Sequence, residues 1–140
     1  MQKRTVAATA SEFDALVKES CTDMSSANRK LYRVLYLNAS GELVSTEDIP
    51  VEKTPDGDIS FRKVFLAAVR SNAAGMVLLH RTASGIPMAE AEDVKMTRAL
   101  ADAGRILGIE LLDHVLISDY EPLSFRAAGL FLSRPDREAC

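Results

Sequence analysis

The amino-acid sequence predicts an α/β domain in which a mixed β-sheet is flanked by helices, and three observations carry that prediction. Leu31-Tyr-Arg-Val-Leu-Tyr-Leu37 is the best strand candidate in the chain. Met76-Val-Leu-Leu79 is a compact apolar run of the kind that fills a strand buried on both faces. Ala89–Leu107 is the longest stretch with helical spacing, and Gly108 supplies its stop. Hairpin, helix, strand, helix, strand is the order of a mixed sheet.

In chain order, Ser11 with Asp14 places a carboxylate where a helix N-terminus favours it, and Phe13, Leu16 and Val17 recur at helical spacing, so residues 11–20 read as a short amphipathic helix. Residues 22–30 are polar and read as a linker. After the first strand, Asn38-Ala-Ser-Gly41 reads as a turn and Glu42–Thr46 as the returning hairpin partner, with Pro50 and Pro55–Asp58 in a loop. Ser60 caps a helix whose apolar side is Phe61, Val64, Phe65, Ala68 and Val69. The long helix packs through Val94, Thr97, Leu100, Ala101 and Gly104, and Leu111–Ile117 is again strand-like. Leu123–Phe125 and Leu130–Leu132 are two short strand candidates, and residues 134–140 form a polar tail. The domain reading is therefore an N-terminal helix and linker over 1–30, the domain proper over 31–133, and the tail.

The 140 residues suit one domain, and 47% apolar with 26% charged is ordinary globular composition. Seventeen basic against twenty acidic side chains leave a net charge of −3, which does not support an extended phosphate-binding surface, so nucleic acid is not an expected partner. The longest apolar run is far below the roughly 20 residues of a membrane span, and no apolar stretch follows the basic start, so a soluble, cytoplasmic protein is expected. Cys21 and Cys140 make no disulfide framework or metal-ligand pattern.

Chemistry is sought first at His80-Arg-Thr-Ala-Ser-Gly85, because α/β folds place ligands where a polar loop leaves a strand end. A hydrolytic zinc site needs about three N, O or S ligands, an open position for water and a nearby base. His80 and Asp93 could supply two, and spacing alone yields no third. The plainer readings stand beside this one: His80 as a hydrogen-bonded strand-end residue, Asp93 as a carboxylate favoured by the helix dipole, Ser84 and Gly85 as ordinary loop residues, and Asp113-His114 as satisfied strand residues. Arg62, Lys63, Arg70 and Arg81 bracket the central helix and strand and make a modest basic patch without aromatic interleaving.

From about Leu31 to Leu132 the chain resembles the RadC family, the bacterial branch of the JAB/MPN (JAMM) metalloprotease fold, whose architecture is cytidine-deaminase-like. The resemblance rests on Phe61–Phe65, Ser71–Ala74, Leu79-His80, Ser84-Gly85, Pro87, Glu92-Asp93, Thr97-Arg98, Gly104–Ile117 and Leu123–Arg126. It implies a zinc site in which two histidines of a His-x-His motif and an aspartate hold the metal, a glutamate before the first strand acts as base, and a serine holds the oxyanion. Carried over, the first histidine is His80, the serine Ser84 and the aspartate Asp93. Thr82 stands at the second histidine and Lys30, or a direct neighbour, at the glutamate.

The resemblance thus implies a pseudoenzyme. Threonine for imidazole replaces a strong ligand by a weak one, and lysine for glutamate removes a base that is worth typically 10²–10⁴-fold in rate. The expectation is a non-catalytic interaction or scaffold module with no cofactor, whose partner is a protein or a second copy of the chain. Lys30 would then face Asp93 and replace the metal charge with a fixed ammonium. The competing classes are a zinc-dependent isopeptidase with a rearranged ligand set, and the DNA-repair role attached to the RadC name.

Overall fold

The computed structural model describes residues 10–24, 31–55, 57–81 and 88–131. It has helix α1 (Ala10–Cys21), strands β1 (Leu31–Leu37) and β2 (Leu43–Pro50), helix α2 (Phe61–Arg70), strand β3 (Gly75–Arg81), helix α3 (Ala91–Leu107), and strands β4 (Glu110–Ile117) and β5 (Leu123–Ser124). The strands form one five-stranded sheet in the order β2-β1-β3-β4-β5. Only β3 and β4 run parallel; the other neighbours are antiparallel, so the sheet is mixed as expected.

Strand alternation distributes side chains to two cores. Tyr32, Val34 and Tyr36 of β1 and Met76 and Leu78 of β3 face the α2/α3 layer, where Val64, Phe65, Ala68, Leu100 and Ala101 meet them. Leu35, Leu37, Val77 and Leu79 point the other way and bury Leu16 and Val17 of α1. The centre of β3 is enclosed on both faces, which is why its sequence runs apolar without a break. Among the described residues no helix is long and apolar enough to cross a membrane.

The turn and cap signals of the sequence have direct physical partners. The Asn38 Oδ1 accepts from the backbone N–H groups of Ser40 and Glu42, closing the β1–β2 turn, while Gly41 takes a φ of 80°. Ser60 caps α2 by accepting from the Lys63 N–H. Gly108 ends α3 in the left-handed region at φ 75°.

Four expectations need correction. The hairpin partner is longer than Glu42–Thr46 and ends on Pro50, which an edge strand tolerates because its missing N–H faces no neighbour. Val69 is 63% exposed, since it lies about 100° round α2 from buried Ala68. On α3, Met96 is buried where Val94 is only half-buried, because Met96 packs on the loop at Gly57. Leu130 and Phe131 form no strand: the chain turns after β5 through Gly129, and Phe131 drops into the α2/α3 core. Leu132 lies outside the described residues.

Candidate functional site

His80 is the next-to-last residue of β3, and alternation from Leu78 turns it toward the α2/α3 layer at the sheet's upper end. Its partner across the antiparallel β1–β3 pair is Tyr32. The two rings stack with centroids 4.1 Å apart and planes 25° apart, so a buried phenol fixes the plane of the imidazole. Burial drives the Tyr32 hydroxyl well above its ordinary pKa, and the negative charges of Asp93 and Asp58 add to that.

Asp93 sits in the first turn of α3 and is half-buried. Desolvation raises its carboxyl above the usual range, while a hydrogen bond from the Glu90 backbone N–H and the charge of His80 pull it back. The N-terminal turn of α3 therefore brings Asp93 into the electrostatic neighbourhood of His80, the two residues that sequence spacing singled out. Ser84, Thr82 and Lys30 lie outside the described residues, as does the pairing of Lys30 with Asp93. Among the described residues no group of three or more His, Cys, Asp or Glu side chains is placed to hold a metal ion. A zinc centre with three protein donors is thus not matched by the donors that are described.

Behind Tyr32 lies a buried polar arrangement that sequence reasoning treated only as satisfied strand residues. The Thr97 Oγ1 donates to the Asp93 carbonyl at 2.7 Å and lies 2.8 Å from the His114 Nδ1. A hydroxyl has one proton, and it is spent on the carbonyl, so the Nδ1 must carry the hydrogen of the second bond. His114 is fully buried, its pKa is pushed down to about 3 by desolvation and secondarily by the charge of His80, and its ring stacks on Phe125 at 4.2 Å. His114 is therefore a neutral core imidazole whose Nδ1 ties β4 to α3. The i, i+4 spacing of Asp93 and Thr97 was visible beforehand; the register that brings His114 to them was not.

Asp113, beside it, is 4% exposed and accepts from the Ser124 Oγ at 2.5 Å, the Arg126 N–H at 3.0 Å and the His114 N–H at 2.7 Å. Three donors make it an anchor for β5 and the following turn. Burial raises its carboxyl and these hydrogen bonds partly restore the charged form. A cleft of about 580 Å³ lies between α1 and the β4–β5 edge, on the sheet face away from His80.

Comparison with known proteins matches the description "RadC-like JAB domain" over residues 9–130. The match reaches back across α1, beyond the stretch from Leu31 that carries the resemblance in the sequence. A UPF0758 protein of Syntrophomonas wolfei is 37% identical over 131 residues, covering 93% of this chain and 56% of that protein. UPF0758 proteins of Desulforamulus reducens and Desulfitobacterium hafniense are 34% and 35% identical, covering 82% and 77% of this chain and 49% and 48% of their own length. The chain spans about half the length of the curated relatives it matches. With a mixed sheet flanked by helices, His80 at a strand end and Asp93 in the helix that follows, the chain belongs to the RadC-like JAB domain family.

Proposed function

We propose that the chain is a catalytically degenerate RadC-like JAB domain that acts as a non-catalytic interaction or scaffold module. The observation that carries this reading is the donor set. His80 and Asp93 are the two conventional ligands, Thr82 stands where the family's second histidine would, and Lys30 stands at or next to the position of the general base. A threonine hydroxyl is a weak neutral donor, and three strong protein ligands are the usual minimum for a catalytic zinc. An ammonium at the position of the base would repel a divalent ion and could not accept a proton while charged. Ser84 alone retains an oxyanion-binding role, which accomplishes nothing without an activated water.

The orientation of His80 is set by its neighbours in the sheet. Its ring is clamped against Tyr32, whose position is set by the β1–β3 pairing.

Restoring the missing pair tests the reading. The double variant Thr82→His, Lys30→Glu is expected to bind one zinc ion per chain, with at least a tenfold gain in affinity over the parent. Chelator-sensitive hydrolysis of an isopeptide or peptide bond by the parent chain would overturn the proposal.

A further inference from the structure

The outward face of α2 is chemically unlike the rest of this acidic chain. The ten residues of the helix contain no acidic side chain. Arg62, Leu66, Val69 and Arg70 fall on the side opposite buried Val64 and Ala68, with Leu66 45% and Val69 63% exposed. Lys63 on the same side is paired with Glu52 at 2.9 Å.

The arginines differ in how their charge is used. Arg33, Arg81, Arg98, Arg105 and Arg126 each donate to a carboxylate or a backbone carbonyl. Arg62 and Arg70 form no ion pair or hydrogen bond among the described residues. Arg62 also stands in the first turn of α2, where the helix dipole disfavours a cation, and no acid there compensates it. Two unpaired guanidinium groups about 12 Å apart along the axis thus straddle two exposed apolar side chains.

We propose that this face of α2 is a docking surface for an acidic amphipathic protein segment, whose carboxylates engage Arg62 and Arg70 while its apolar side chains cover Leu66 and Val69. Nucleic acid fits less well, because two cations around an apolar centre offer few phosphate contacts and no stacking ring. A membrane fits less well too, since the inner side of α2 is committed to the core and a net charge of −3 is repelled by anionic lipid. The surface rests on the reading of the chain as an interaction module and supplies the chemistry of its partner.

The test uses the full chain and a helix-forming peptide of glutamate and leucine at i, i+3, i+4 spacing, followed by calorimetry or fluorescence anisotropy. Binding is expected, weakening about tenfold for Arg62→Glu, Arg70→Glu and again for Leu66→Ser, and weakening with salt. A peptide with glutamine in place of glutamate should bind at least several-fold less tightly. Thermal melts of the variants, whose changed side chains are all exposed, establish that they fold. Absence of binding, or binding that neither variant changes, overturns the surface. Tighter α2-dependent binding to a single-stranded oligonucleotide or to phosphatidylserine vesicles also overturns it and names the other class. Zinc content and peptidase assays decide the non-catalytic reading separately, so the two can fail independently.

Discussion

His114 shows at a single side chain what burial does to a titratable group. Its imidazole is fully buried and neutral, with a pKa held to about 3 against an ordinary 6.5. Between those values the unfolded chain binds a proton that the folded chain refuses, so stability falls as pH is lowered across that window. Asp113 works in the opposite sense: its raised folded pKa contributes stability below 3.8 that is lost as pH rises through the folded value. The difference between the parent and His114→Asn isolates the first effect, because asparagine can keep the Nδ1-like donor to Thr97 but does not titrate. The variant is expected to show a flatter loss of stability between pH 6.5 and 4 in denaturant titrations. An unchanged slope would mean that His114 is solvated. Gly104 of α3 packs directly against the chain at Ile109. A Cβ there would lie 2.2 Å from the backbone oxygen of Ile109, so Gly104→Ala is expected to cost about 3 kcal/mol or more by forcing α3 away from the start of β4. His80 and Asp93 were legible in the sequence because each ends or begins an element with a strong local signal. The stacking of Tyr32 on His80 was not, because it depends on the pairing of β1 with β3 across forty-odd residues of chain.

At the scale of elements, α1 shows how much a short amphipathic pattern can promise. Its Leu16 and Val17 were legible at helical spacing, and both are buried against β1, β3 and β4. What spacing did not disclose is the clamp at its end. The Arg33 guanidinium on β1 binds Asp23 and Asp48 and donates to the Ser20 carbonyl, tying α1 to the hairpin. Ionic partners so far apart in sequence leave no periodic trace. Leu16→Ala is expected to lower unfolding free energy by about 2–5 kcal/mol, in a single transition if α1 belongs to the same cooperative unit as the sheet. Arg33→Leu should raise amide hydrogen exchange across α1 while leaving β3 protected; equal exchange across α1 in this variant and the parent would show that the clamp does not hold the helix. The misread limits of β2 have a different origin. Apart from Ile49 that strand is largely solvent-facing, so it lacks the alternation that makes strand ends visible.

For the molecule as a whole, family and architecture were readable because the resemblance runs through most elements in unbroken order. In the proposed reading Thr82 and Lys30 bear on chemistry rather than on folding, and neither periodicity nor composition distinguishes such positions from ordinary loop residues. The matched stretch covers 56%, 49% and 48% of three curated relatives, so the activity and partners of those whole proteins are not carried over to this chain. The proposed loss of chemistry concerns donor atoms at one strand end, and zinc analysis of protein purified without chelator decides it. Far less than one zinc per chain, unchanged by Asp93→Ala, is expected; one zinc per chain that disappears in Asp93→Ala would mean that His80 and Asp93 still hold the metal.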